Sequence, residues 1–289
     1  MLHSLLAHQT PGSVRVHVLH GAALSHDNRE RLERVVAGSA ASLRWVAVGP
    51  GELAGLPATR FHVACWYRVL LPALLPDVSR ILYLDADALV LDDLQPLWAS
   101  DLQGRLFGAV VNPMYPFMPD RPRLLGLAGP AEYLNSGVLL MDLDRMRTTG
   151  LTGRLRAYAR QHPDNPWPEQ DALSVVCRGD WRALHPRWNV QTALYDVAAK
   201  QLPFPRAEVA QAKAHPAIVH FIGPLKPWHY LCRHPLRQLY ERHRRQTPWP
   251  RFELEGRTLG NRLLRPLSLE MQLRVRAMAR RLSSLVAAR

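Results

Sequence analysis

Ile81-Leu82-Tyr83-Leu84 runs straight into Asp85-Ala86-Asp87, and apolar residues resume at once with Ala88, Leu89 and Val90. An apolar run of this kind suits a strand covered on both faces, as in a parallel sheet flanked by helices. Read as extended chain, side chains alternate, so Asp85 and Asp87 share one face and Ala86 takes the other. Two carboxylates at the end of a buried strand repel each other and lose hydration. A hard divalent cation such as Mn²⁺ or Mg²⁺ relieves both penalties. A lone Asp-x-Asp also starts loops and caps helices, so the strand in front of it is what gives the pair weight.

Elements of two periods alternate around this strand. Leu2, Leu5 and Leu6 share a helical face that Pro11-Gly12 stops. Val14 to Leu19 alternates like a strand. Ser25 or Asp27 can cap a helix through Leu32, Val35 and Val36, and Leu43 to Val48 reads as a second strand. Phe61 to Leu75 has helical spacing, with Pro72 as a bend. Leu106 to Val111, Tyr133 to Leu143 and Ala217 to Phe221 read as further strands, and Leu151 to Arg160 as a helix. Glu169-Gln170-Asp171 opens another helix, where acids suit the N-terminus as caps. Between them, Pro113, Pro116, Pro119, Pro122 and Pro130 mark a long loop of the sort that carries function. The alternation predicts an α/β domain with a mixed, mainly parallel sheet flanked by helices. Ligands in such sheets sit beyond the carboxyl ends of the strands, where Asp85 and Asp87 fall.

Charge narrows the partners. The net charge is +13, which calls for an anionic partner such as a phosphate-rich substrate, an anionic lipid surface or a nucleic acid. No nucleic-acid motif accompanies it, so nucleic acid is set aside. Instead the excess gathers in the tail. Residues 246–289 hold nine arginines against three glutamates. After Pro266, Leu267, Met271, Val275, Met278, Leu282 and Leu285 recur at helical steps, with Arg276 and Arg280 on the other face. This is the pattern of a basic amphipathic helix lying on an anionic membrane, with Trp249 and Phe252 as interfacial anchors. The division expected is a catalytic domain over 1–245 and this tail over 246–289. No apolar run reaches the ~18 residues of a membrane span, and no signal peptide is evident. The three cysteines, Cys65, Cys177 and Cys232, lack metal spacing and suit a reducing compartment.

Three ordered segments carry a resemblance: Tyr83-Leu84-Asp85-Ala86-Asp87, Tyr133-Leu134-Asn135-Ser136-Gly137-Val138, and His220 to Trp228 with Gly223 and Lys226. From about Val14 to Trp228 the chain resembles the family-8 retaining glycosyltransferases, above all the bacterial lipopolysaccharide galactosyl- and glucosyltransferases and, more distantly, glycogenin. The resemblance implies a type-A glycosyltransferase fold with a Rossmann-like nucleotide-binding half, a UDP-hexose donor and Mn²⁺, with Mg²⁺ as the alternative. It implies Asp85, Asp87 and His220 as metal ligands. Arg68, Ala86, Gly223 and Lys226 then join both acids in holding the donor. Asn135, Glu169 and Gln170 take the sugar pocket, with Gln170 near the reacting carbon. A saccharide or lipid-linked saccharide would be the acceptor, at the cytoplasmic face of the membrane.

Departures from the pattern are visible. Glu169 stands where relatives commonly carry Asp, and Asn112 where the galactosyl members carry Asp, leaving glucose and galactose both open. Relatives open with a strand, an Asp/Asn loop that cups the uracil, and a helix. Met1 falls inside that helix, so the first strand is expected to be missing, roughly 15–25 residues in all, as a misplaced start codon would leave. A truncated, non-catalytic relative serving as a membrane-associated binding protein is the alternative reading. Retention of both acids, His220 and Lys226 speaks against it.

Overall fold

The computed structural model describes residues 1–57, 63–113, 118–267 and 271. Helix α1 (Leu2–Ala7) precedes strand β1 (Arg15–His20), helix α2 (His26–Ala37) and strand β2 (Ser42–Ala47). Ser25 caps α2, its hydroxyl accepting from Asn28 N–H. β1 and β2 pair in parallel, as a strand–helix–strand unit requires. Helix α3 (Tyr67–Leu74) begins later than its apolar spacing suggested, after a single 3₁₀ turn at Val63–Trp66.

The centre is a four-stranded sheet in the order β3 (Arg80–Leu84), β6 (Leu134–Asp142), β5 (Phe107–Val111) and β7 (Trp181–Ala183). A three-stranded set, β4 (Ala88–Val90), β9 (Ile218–His220) and β8 (Val190–Gln191), stands beside it. Of the six pairings among the described residues, β1–β2, β5–β7 and β8–β9 are parallel, and β3–β6, β5–β6 and β4–β9 are antiparallel. The sheet is therefore mixed, with no excess of parallel pairs. Apolar patterning tells that a strand is buried, but not which way its neighbour runs.

Burial follows position in the sheet. All of β5, and β6 up to its last residue, is buried, because each has a strand on either side and helices above and below. Leu134, Leu139 and Met141 pack with Leu70, Leu71, Leu143 and Leu155 in the largest core cluster. Each such side chain contributes about 1.5–3 kcal/mol by leaving water. β3 behaves differently from its sequence expectation: all five residues are only half-buried, and among the described residues it pairs with β6 alone.

Helix α4 (Leu151–Gln161) and helix α5 (Pro168–Val176) close one side of the core, and helix α6 (Arg206–Ala214) sits beyond them in sequence. Helix α7 (Arg237–Arg245) and helix α8 (Leu259–Leu264) follow β9. The strap between them returns to the domain, with Glu255 N–H bonding Trp228 O at 3.0 Å and Tyr230 N–H bonding Glu255 O at 2.9 Å. Trp249 is not a free anchor: its indole N–H donates to Asn28 on α2 and its ring lies under Arg31. Phe252, Leu259 and Leu263 are exposed. Apart from Met271, the helix expected after Leu267 lies outside the described residues. Among the described residues no helix is long and apolar enough to cross a membrane.

Candidate active site

β3 stops at Leu84 and the chain turns. Asp85 N–H bonds Gly137 O at 2.8 Å, and Ala88 N–H closes back on Asp85 O at 3.1 Å. Ala86 and Asp87 form the turn, which corrects the extended reading of the Asp-x-Asp. The turn is needed because the chain leaves one sheet at Leu84 and enters another at Ala88. Both carboxylates still meet, now through a bend.

β9 pairs antiparallel with β4 and sets His220 opposite Ala88. Ligand atoms of Asp85, Asp87 and His220 all lie within 4.8 Å of one another. His220 Nε2 is 3.2 Å from Asp87 Oδ1 and 3.7 Å from Asp85 Oδ2. Its Nδ1 lies 3.1 Å from Asn189 Oδ1. An amide oxygen only accepts, so it fixes a proton on Nδ1 and leaves Nε2 facing the acids, where it can donate to Asp87 or, without its proton, bind a cation. Two carboxylates and one imidazole nitrogen suit a hard divalent ion with positions left for further oxygens. Gly137 makes room for this: a Cβ there would enter the His220 ring and lie 2.8 Å from Asp85 Oδ2.

Two cations flank the cluster. Arg68 is buried, which excludes a surface salt bridge, and its Nη2 meets Asp85 Oδ1 at 2.7 Å. Its Nη1 donates to Ser136 O at 2.6 Å and lies 3.9 Å from Glu169 Oε1. Desolvation works against the Arg68 charge, yet Asp85, Tyr83 and Glu169 more than restore it. Lys226 Nζ donates to Asp87 Oδ2 and, at 2.9 Å, to Phe221 O. Burial pushes the Asp87 carboxyl up, but His220 and Lys226 outweigh it and hold it well below the usual carboxylate range. Tyr83 is kept neutral by burial and donates to Asp85 Oδ1 at 2.8 Å. Two cations face the three carboxylates of Asp85, Asp87 and Glu169, leaving a negative charge for a bound cation to balance.

The other end of the cleft is made of amides. Pairing between β5 and β6 slips after Ala109↔Leu139, and Val110 faces Asn135. The irregularity frees Ser136 and Gly137 from β5, so that Ser136 N–H bonds Gln170 Oε1 and Gly137 N–H bonds Asn135 Oδ1. Gln170 is the hub: its Oε1 accepts from Asn135 Nδ2 and Ser136 N, each at 3.3 Å, and from Asn112 Nδ2 at 3.4 Å. Its Nε2 donates to Tyr133 OH at 2.9 Å, and that hydroxyl donates to Asp171 Oδ1 at 2.7 Å. Asp171 is not a cap; it is fully buried and clamped by Arg121 at 2.5 Å. Glu169 accepts from Ser136 Oγ at 3.1 Å. Asn189 joins both ends, donating to Asn135 Oδ1 at 2.7 Å while facing His220.

The arrangement sets a cation-ready acid cluster beside a buried, mutually hydrogen-bonded group of polar side chains. Comparison with known proteins gives it a family. Residues 15–232 match the model of Glycosyl transferase family 8. The chain belongs to that family. General stress protein A of Bacillus subtilis is 29% identical over 255 residues, spanning 86% of this chain and 85% of that protein. Lipopolysaccharide 1,2-glucosyltransferase of Escherichia coli is 27% identical over 212 residues, spanning 70% and 60%. The crystal structure of galactosyltransferase LgtC in complex with donor and acceptor sugar analogs superposes with a TM-score of 0.74 at 26% identity, covering 85% of this chain and 89% of that one. The type-A glycosyltransferase fold expected from the sequence is thus the fold found, and the chain is a glycosyltransferase.

Within this family-8 frame, the structure brings Arg68, Asp85, Asp87, His220 and Lys226 together at one end, and Asn135, Glu169 and Gln170 at the other. Ala86 is exposed on the turn between the acids. Gly223 has φ +99°, a conformation that favours glycine, and a Cβ there would meet nothing within 4 Å. Sequence reasoning missed Asn189 and Arg121. A neutral amide between Trp188 and Val190 has no spacing signal, and Arg121 was one arginine among many in a proline-rich loop.

Proposed function

We propose that the chain transfers a hexose, glucose or galactose, from a UDP-sugar to a saccharide or lipid-linked saccharide acceptor with retention of configuration. The observation that carries this is the Asp85–Asp87–His220 cluster set between Arg68 and Lys226. Asp85, Asp87 and His220 would hold Mn²⁺ or Mg²⁺, which when bound neutralises diphosphate oxygens as UDP leaves. Lys226 adds positive charge for the same diphosphate. Arg68 fixes the Asp85 carboxylate and the Ser136 backbone against which the donor rests. Gly223 leaves open space beside Lys226 for the phosphates. Asn135, Glu169 and Gln170 line the sugar side, and their mutual hydrogen bonds through Ser136 hold them in place before any ligand arrives.

Neither acid of α5 is poised as a free nucleophile: Asp171 is held by Arg121 and Tyr133, and Glu169 by Ser136. Attack by the acceptor hydroxyl on the face that UDP leaves is the reaction course that the family resemblance implies. A role in lipopolysaccharide core or other surface glycan synthesis draws support from the lipopolysaccharide 1,2-glucosyltransferase relative. Attachment to the cytoplasmic face of the membrane through residues 246–289 draws support from exposed Leu259 and Leu263 beside Arg257 and Arg262. UDP-glucose and UDP-galactose hydrolysis, with and without Mn²⁺, is the test. Turnover that is indifferent to EDTA and to Asp87→Ala would remove the assignment. Flotation with anionic liposomes, with and without residues 246–289, tests the tail.

A further inference from the structure

A chain of hydrogen bonds joins the two ends of the site through buried side chains, Asn189 being wholly enclosed. His220 Nδ1 meets Asn189 Oδ1 at 3.1 Å, Asn189 Nδ2 meets Asn135 Oδ1 at 2.7 Å, and Asn135 Nδ2 meets Gln170 Oε1 at 3.3 Å. Gln170 Nε2 then meets Tyr133 OH at 2.9 Å, and that hydroxyl meets Asp171 Oδ1 at 2.7 Å. A side-chain amide fits its pocket nearly as well turned end for end, so such a chain could run in either sense. Groups without that freedom decide which.

Backbone donors fix the sense from within. Gly137 N–H meets the Asn135 side chain at 3.0 Å, and Ser136 N–H meets that of Gln170 at 3.3 Å. A backbone N–H only donates, so each amide must turn its oxygen toward it. Both donors are free for this because the β5–β6 register slips after Ala109↔Leu139. Arg121 fixes the sense independently from the far end. A guanidinium has no acceptor and an ion-paired carboxylate no donor, so Tyr133 OH must donate to Asp171 and its oxygen must accept from Gln170 Nε2. The two ends agree: every bond donates away from His220 and toward Asp171.

We propose that Asn135 is a positioning residue for His220. With its oxygen turned to Gly137 N–H, Asn135 can only accept from Asn189. Asn189 must then turn its own oxygen to the imidazole and hold a proton on Nδ1. Nε2 is the ring nitrogen left to face a cation beside Asp85 and Asp87, so the inference rests on reading that cluster as a cation site. One amide thus serves both ends: its nitrogen is committed to Gln170 on the sugar side, and its oxygen orders the imidazole on the metal side. Truncating it should be felt at the cation, even though no atom of Asn135 is among the cluster's ligands.

Histidine-labelled ¹⁵N NMR on the whole chain, without metal and with Mg²⁺, reads the Nδ1 proton, and calorimetry with Mn²⁺ alone reads the affinity. The unaltered chain should show an exchange-protected proton on His220 Nδ1. Asn135→Ala should lose that protection and weaken Mn²⁺ binding about tenfold. Asn135→Ser, too short to reach Asn189, should do the same, and unchanged hydrogen exchange in β5 checks that both variants are folded. Asn135→Asp keeps an oxygen for Gly137 and Asn189 and should keep the protected proton. Tyr133→Phe cuts the chain beyond Gln170, where both backbone donors still hold the amides, and should keep it too. Unchanged protection in folded Asn135→Ala or Asn135→Ser overturns the proposal. So does equal loss in Asn135→Asp or Tyr133→Phe, which would mark a general loosening of the core. An unaltered chain that binds neither Mn²⁺ nor Mg²⁺ would remove the cation reading, and the proton readout would still decide the role of Asn135.

Discussion

At one end of the cleft Asp85, Asp87 and His220 meet Arg68 and Lys226; at the other Asn112, Asn135, Gln170 and Tyr133 meet one another. The charged end stays in reach of solvent, with the Asp85 side chain 23% and Asp87 16% exposed. The amide end is buried and rests on an Arg121–Asp171 pair whose carboxylate is wholly enclosed. Groups that must bind and release a charged ligand need access, because burying an unpaired charge is costly. Groups that only define a shape do better when satisfied in advance. The charged end should therefore act mainly on turnover, and the Arg121–Asp171 pair beneath the amide end mainly on stability.

That contrast can be broken by substitution. The largest expected effect is on turnover: Asp87→Ala should lower metal-dependent donor hydrolysis by about 10²–10³-fold. Asp171→Ala should do the reverse in kind, costing about 3–5 kcal/mol of stability by leaving the Arg121 guanidinium buried and unpaired. Urea unfolding measures it, and a loss under 1 kcal/mol would erase the distinction between the ends. Asn189→Ala sits on the seam. Without its oxygen the His220 tautomer is unfixed, so Mn²⁺ affinity by calorimetry should weaken about 10–100-fold, while a change in folding stability alone would assign Asn189 to the amide end.

The smallest effect is on acid stability. Asp87 is held below its ordinary value of 3.8, so its pairing with His220 and Lys226 stabilises the fold at pH above 3.8 and fades as pH falls toward its lower folded value. Asp87→Asn should flatten that acid limb in pH-dependent thermal unfolding. An unchanged limb would mean that the pairing contributes nothing to folding.

Much of this was legible beforehand. The apolar run into Asp85 and Asp87, the Asn135-Ser136-Gly137 corner and the His220 strand end are local signals, since burial and side-chain period act on neighbouring residues. At Gly137 the absence of a side chain leaves the space that the His220 ring occupies. Other features were not local. The turn at Ala86 and Asp87 exists because β3 and β4 belong to different sheets. The antiparallel placing of β6 beside β3 leaves no mark in apolar patterning. Asp171 looked like a helix cap because its true partners, Arg121 and Tyr133, are supplied by a distant loop and strand end.

The sequence by itself determined the residue types of the site and the strand ends that carry them, because apolar runs and isolated polar breaks are written within a few residues. The tertiary structure alone decided who pairs with whom: Lys226 reaches Asp87 across 139 residues, and Asn189 finds both His220 and Asn135. Those choices depend on strand order and register, which arise from packing of the whole chain and not from any one segment.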